Sequence, residues 1–260
     1  MIDTHCHLFD EAFDEDRDEA IKRAKEVGVK KIMIVGFSKE TNEKAYQLSL
    51  KDNIFYPTCG IHPDEADDNY LEKLKDLKTF LNNHKVYAIG ECGLDYHWTK
   101  DNIDIQKILL HEQCKLALEY NLPIIIHMRD AQEDTYDILK QYKGLRGVMH
   151  CYSGSYEMAL RFIDLGFYIS LGGPVTFKNA KEPQKNATLL PLDRLLIETD
   201  CPYLAPVPQR GKRNETSFIH YTLEKIAELR NISVEEMDEI TSDNAIRLFN
   251  IYRWNKWLIY

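Results

Sequence analysis

Among the side chains of this 260-residue chain that could hold metal ions or move protons, six stand out by position: His5, His7, Glu91, His127, His150 and Asp200. His5 and His7 are two positions apart, and on a β-strand that spacing aims both imidazoles at one face. The pair alone carries little, because nine histidines in a chain of this length give about 0.3 His-x-His pairs by chance. The conjunction carries more. Each of the six falls at the end of a short apolar, β-branched run and none at the start of one. Four imidazoles and two carboxylates suffice for two divalent ions if one carboxylate, Glu91, bridges them. Mixed nitrogen and oxygen ligation suits Zn, Mn or Mg. Such a pair lowers the pKa of a bound water toward neutrality and makes it a nucleophile, so the expected chemistry is hydrolysis.

The elements that must position these groups are legible as repeating units. Apolar runs begin near Met1, Lys31, Ile54, Val86, Pro123, Gly147, Phe167 and Leu195. Each is about four to six residues long and apolar throughout, as strands covered on both faces are. Most lead into helical periodicity, seen at Ala20, Ala24 and Val27, and again at Ile219, Leu223, Ile226 and Ala227. The unit after Phe167 is the weakest, interrupted by Gly172-Gly173-Pro174 and Pro183. Eight strand-then-helix units at roughly 30-residue spacing predict an α/β fold, a (β/α)8 TIM barrel forming a single domain over residues 1–250. An open doubly wound sheet normally stops at about five to seven strands. Helical stretches over Ser217–Arg230, Val234–Thr241 and Asp243–Asn250 would close the structure. The tail 251–260, with Trp254 and Trp257, has no assigned role. In a parallel barrel every C-terminal strand end lies on one face, so donors nearly 200 residues apart would meet at one mouth.

Composition narrows the class further. With 44% apolar residues the chain has ample material for a core, which argues against disorder. No apolar run approaches the ~20 residues of a bilayer crossing, and Met1–His5 lacks the charged and apolar regions of a signal peptide. A cytoplasmic protein with no membrane partner is expected. The 33 basic against 42 acidic side chains, net −9, argue against a broad nucleic-acid-coating surface but leave room for a local basic patch. Cys6, Cys92, Cys151 and Cys201 sit beside His5, Glu91, His150 and Asp200. If the pleat alternates there, all four thiols face the helix layer as core residues.

The motifs Met1-Ile2-Asp3-Thr4-His5-Cys6-His7, Gly60-Ile61-His62-Pro63, Gly90-Glu91-Cys92-Gly93-Leu94-Asp95-Tyr96, His127-Met128-Arg129-Asp130, His150-Cys151-Tyr152-Ser153-Gly154 and Glu198-Thr199-Asp200-Cys201-Pro202 together resemble the TatD-type metal-dependent deoxyribonucleases, within the amidohydrolase-like superfamily. The resemblance spans about residues 1 to 250. One departure is Arg213-Asn214-Glu215-Thr216, where the family usually has proline in place of Thr216. The resemblance implies a (β/α)8 barrel and a divalent-metal-dependent phosphodiesterase, typically a 3′-to-5′ exonuclease on DNA. It also implies two ions, one on His5, His7, Glu91 and Asp200, the other on Glu91, His127 and His150. Asp200 would then orient the attacking water and accept its proton.

Expected substrate contacts are Arg129, two residues beyond a ligand and suited to phosphate, and His62. Arg210 and Arg213, in the basic stretch Gln209–Arg213, are expected to steer a DNA strand, single-stranded or bound at its end. Tyr96, His97 and Trp98 follow Glu91 and could stack on a base. Asp95 and Glu198 could hold ligands in place, and nothing in the sequence fixes their role. Two other functions fit the same residues: hydrolysis of a carboxyl ester or amide, and a non-catalytic, metal-stabilised binding protein.

Overall fold

The computed structural model describes residues 1–98 and 100–251, so the tail beyond Ile251 lies outside the described residues. Eight strands occur among them: β1 Ile2–Cys6, β2 Lys31–Val35, β3 Phe55–Thr58, β4 Ile89–Asp95, β5 Ile124–Arg129, β6 Gly147–Met149, β7 Phe167–Leu171 and β8 Leu195–Ile197. All neighbouring pairs are parallel, in ladders β1-β2-β3 and β4-β5-β6-β7-β8. Isolated bridges Cys6–Cys201 and Cys59–Ile89 join the ladders at both seams, which closes the (β/α)8 barrel expected from the sequence. The strands start within a few residues of the apolar runs, but β6 and β8 have only three residues and β4 has seven.

Side-chain alternation divides the apolar residues into two cores. Ile2, Val35, Ala88, Ile125, Val148, Tyr168 and Leu196, drawn from successive strands, pack inside the barrel and are sealed by Leu248, Phe249 and Ile251. Their strand neighbours, such as Ile34, Ile124, Ile126, Ile169 and Ile197, face the surrounding helices. Cys6 and Cys92 belong to this outer core, and so does Cys201, beyond the end of β8.

The barrel interior and the mouth impose a parity problem that two irregularities solve. On β5, β6 and β8 the interior residue and the mouth residue are two apart: Ile125 and His127, Val148 and His150, Leu196 and Glu198. On β1 and β4 they are three apart, Ile2 to His5 and Ala88 to Glu91. An odd spacing would send one of each pair outward in a regular strand. The register shifts between Asp3 and Cys6, and again between Ile89 and Cys92, supplying the extra residue at both places.

Two helical expectations change. The stretch 234–250 is one helix, α9 Val234–Phe249, not two. Thr241 and Ser242 read as a break, but their hydroxyls donate to the Met237 carbonyl and the Asp238 carboxylate one turn earlier, so they stay inside the helix. The weak unit after β7 forms a 3₁₀ helix, Gly173–Thr176, and then α7 Lys181–Leu189. Pro183 sits in the first turn of α7, where a missing N–H is harmless. The absent proline at position 216 is also tolerated. A 3₁₀ helix, Thr216–Phe218, leads into α8 Ile219–Arg230, and Asn214 ties this entry to the Thr199 and Tyr203 carbonyls at 2.8 and 2.7 Å. No helix of the described residues is long and apolar enough to cross a membrane.

Candidate metal centre

The six donors singled out in the sequence meet at the C-terminal mouth of the barrel, and Glu91 is at their centre. Its two carboxylate oxygens face different partners. Oε2 lies 3.3 Å from His5 Nε2 and 3.8 Å from His7 Nε2. Oε1 lies 2.8 Å from His150 Nε2, 3.1 Å from His127 Nδ1 and 3.6 Å from His62 Nε2. Asp200 Oδ1 completes the first side, 3.6 Å from His7 Nε2 and 3.8 Å from His5 Nε2. His5, His7 and Asp200 thus offer ligand atoms within 4.8 Å of one another, as do His62, Glu91 and His127. His5 is fully buried below the cavity floor, its ring stacked on that of His150 with centroids 3.9 Å apart.

Backbone approach is tight where the centre is assembled. Gly93 on β4 pairs with His127 on β5 and has φ +150, and a Cβ there would lie 1.9 Å from the His127 carbonyl oxygen. Only glycine permits this strand contact, and with it the approach of His127 to Glu91. Asp200 lies three residues beyond β8 in the left-handed region, φ 57, a conformation that costs a non-glycine residue on the order of 1 kcal/mol. A turn holds it there: its N–H donates to the His5 carbonyl, and its own carbonyl accepts from Tyr203 N–H.

The electrostatics suit a cation. Burial alone would raise the Glu91 carboxyl, yet the charges of His150, His5 and His62 hold it well below its ordinary value. Burial likewise opposes protonation of His150, and Glu91 and Glu198 nonetheless raise it well above its usual range. His5 is lowered by burial and by neighbouring His150. Its Nε2 is buried without a hydrogen-bond partner although it points toward two carboxylates. Buried imidazole nitrogens left without partners beside two carboxylates are unfavourable unless something joins them, and a divalent ion would, so this donor set fits divalent ions.

The mouth itself is a cavity of about 750 Å³ lined by His7, His62, His127 and His150 with Glu91 and Asp200. A larger cavity, about 1020 Å³, lies between α2 Lys39–Ser49 and α3 Tyr70–Asn83 and carries none of the six donors. Arg129 and Trp98 share the rim, the guanidinium 5.2 Å from the indole centroid. His62 Nδ1 accepts the Asp64 N–H at 3.1 Å, and its Nε2 faces Glu91 at the cavity wall. His97 pairs with Asp130, and the Tyr96 hydroxyl donates to Asp134, so neither is presented as Trp98 is.

Three residues are placed otherwise than expected. Arg213 lies outside the cavity lining: it donates to both oxygens of Asp16 and to the Ala12 carbonyl, and its guanidinium lies on the Phe13 ring. Arg210 is not part of the cavity lining but stacks on Phe177 at 4.4 Å, outside the donor cluster. Cys151 is not a core residue. β6 ends at Met149, Cys151 has φ 43, and once the pleat is lost alternation no longer aims its side chain, which lines the mouth. The sequence also left Asp95 and Glu198 unplaced. Asp95 Oδ2 lies 2.9 Å from His127 Nε2 and Glu198 Oε1 lies 3.4 Å from His150 Nδ1. For Asp95 the available signal was parity, since it is four residues from Glu91 on the same face of β4; for Glu198, beyond the end of β8, it was parity with the interior Leu196.

A parallel barrel with clustered imidazoles and carboxylates at its C-terminal mouth defines the class of metal-dependent hydrolase barrels. Residues 2–250 match the family model described as TatD related DNase. The chain belongs to that family. It is 49% identical over 253 residues to the uncharacterized metal-dependent hydrolase YabD of Bacillus subtilis, covering 96% of this chain and 99% of that one. It is 38% identical to the uncharacterized metal-dependent hydrolase YcfH of Escherichia coli K12, covering 96% of each. Among solved structures, the TatD homologue YJJV from Escherichia coli K12 superposes with a TM-score of 0.92 at 32% identity, covering 97% of this chain and 98% of that one.

Proposed function

We propose that this protein is a divalent-metal-dependent deoxyribonuclease that hydrolyses phosphodiester bonds, acting from the 3′ end of a single or frayed DNA strand. The observation that carries the reading is the placement of Glu91, whose two oxygens face separate donor sets at 2.8–3.8 Å, as a carboxylate shared by two ions must. His5, His7, Glu91 and Asp200 would hold one ion, and Glu91, His127 and His150 the other. Bound ions supply a water of lowered pKa and neutralise charge on the phosphoryl oxygens.

The remaining work falls to the chain's own groups. Asp200 is held below its ordinary value, burial opposing and the facing imidazoles, His7 first, outweighing it, so it can accept the proton of the attacking water. His62 Nε2–H donates from the cavity wall toward an anionic oxygen. Arg129 presents a planar fork to a phosphate, and Trp98, 68% exposed, offers a face for a terminal base. The family match supports the ester and DNA preference, and the buried donor set supports metal dependence.

The test is incubation of the protein with end-labelled single-stranded DNA and Mg or Mn. Stepwise shortening from the 3′ end is expected, abolished by a chelator and by Glu91→Gln. Turnover of a carboxyl ester or amide with no shortening of DNA would replace this reading by the other hydrolase chemistry.

A further inference from the structure

A neutral imidazole offers a lone pair from one nitrogen only, and the partner of its other nitrogen decides which. For His7 the partner is the Val35 carbonyl, 2.8 Å from Nδ1, which leaves Nε2 free to face Asp200 and Glu91. His127 has the opposite orientation. Its Nδ1 faces the centre, 3.1 Å from Glu91 Oε1 and 3.5 Å from His150 Nε2, and its Nε2 lies 2.9 Å from Asp95 Oδ2.

Asp95 is itself held in one orientation. Its Oδ1 accepts the N–H groups of His97 and Trp98 at 2.8 and 3.1 Å, which directs Oδ2 at His127. Gln106 bonds the Asp95 backbone on both sides, accepting its N–H at 2.9 Å and donating to its carbonyl at 3.1 Å. We infer that Asp95 is a positioning residue that selects the His127 tautomer, keeping the proton on Nε2 and the Nδ1 lone pair aimed at the metal centre. This rests on the metal-dependent reading above.

The isosteric amide separates tautomer choice from charge. In Asp95→Asn a carbonyl oxygen at the Oδ1 position keeps both backbone N–H bonds. The NH₂ then faces His127 Nε2 and donates to it, so the ring proton moves to Nδ1 and blocks the lone pair toward Glu91. Glu198 provides the contrast. Its Oε1 both accepts the Cys151 N–H at 2.6 Å and faces His150 Nδ1 at 3.4 Å, so Glu198→Gln keeps an acceptor there and loses only charge.

Full-length wild type, Asp95→Asn and Glu198→Gln are stripped with chelator and titrated with Mn and with Zn by equilibrium dialysis, and ring ¹⁵N–¹H correlation spectra are recorded. At alkaline pH, where the ion-free ring is neutral, wild-type His127 is expected as the Nε2–H tautomer. Asp95→Asn should show Nδ1–H and lose about 10–100-fold in affinity for one ion, a larger loss than in Glu198→Gln. Wild-type affinity in Asp95→Asn, an equal loss in Glu198→Gln, or an Nδ1–H tautomer in wild type would overturn the inference. A wild-type protein that takes up no ion would instead sink the proposed function, while the ring spectra still decide the role of Asp95. If Asp95→Asn does not fold, the wild-type tautomer alone carries the test.

Discussion

Replacing Arg213 by alanine separates a structural arginine from a substrate-steering one. The guanidinium donates to Asp16 Oδ1 and Oδ2 at 2.5 and 2.9 Å, so the pair is bidentate. Arg213 and Asp16 are 28% and 33% exposed, and screening at that exposure leaves the pair worth about 1 kcal/mol. Loss of the stack on Phe13, 4.4 Å from the ring centroid, adds about 0.5–1 kcal/mol. The Ala12 carbonyl also loses its 2.7 Å donor but is partly solvated, so the total is about 2 kcal/mol. In a chain of this size that lowers the melting temperature by about 4–8 °C. Asp16 also bonds Arg23, and its carboxyl is lowered by Arg213 first and Arg23 second. A depressed carboxyl contributes stability above its unfolded value, and this is lost as pH falls through the folded one. The Arg213→Ala deficit should therefore be full at pH 7 and shrink in strong acid. The assay is thermal unfolding by circular dichroism at several pH values, alongside KM for single-stranded DNA at two salt concentrations. An unchanged melting temperature with a raised KM and a flattened salt slope would refute this and return Arg213 to the substrate path.

At the rim, Trp98→Ala should raise KM for DNA by about fivefold or more, from the ~1–3 kcal/mol of a stacked base, with kcat kept. The same variant should leave hydrolysis of a small phosphodiester without a base unchanged; an equal loss on both substrates would mean that Trp98 supports the centre and not the base. Ion affinity should rise between pH 6 and pH 8. His127 and His150 are raised above 6.5, burial opposing and the carboxylates prevailing, and an entering ion must displace those protons. In ion-free protein the same raised values give stability that is full below 6.5 and lost as pH climbs through them. Added Mn should therefore raise the melting temperature more at pH 8 than at pH 6, and an equal rise at both would contradict the assignment of these imidazoles as ligands.

The amino-acid sequence was enough for the barrel and for the company that its donors keep. Apolar runs, their spacing and the helical periodicity between them are local properties, and the placing of His5, Glu91, His127 and His150 in or just beyond strands follows from them, although β4 and β5 run on past Glu91 and His127. What the tertiary structure alone decided has a common physical origin, in groups distant along the chain but adjacent in space. The register irregularities of β1 and β4, which let Ile2 and His5 or Ala88 and Glu91 both turn inward, exist only relative to the neighbouring strands. Arg213 lies 197 residues from the Asp16 that claims it, so its charge read as available until the fold brought them together. Asp95 and Glu198 were visible as carboxylates, but their work depends on which imidazole nitrogen each faces. That is settled by strand pairing and backbone turns, which one-dimensional spacing does not contain.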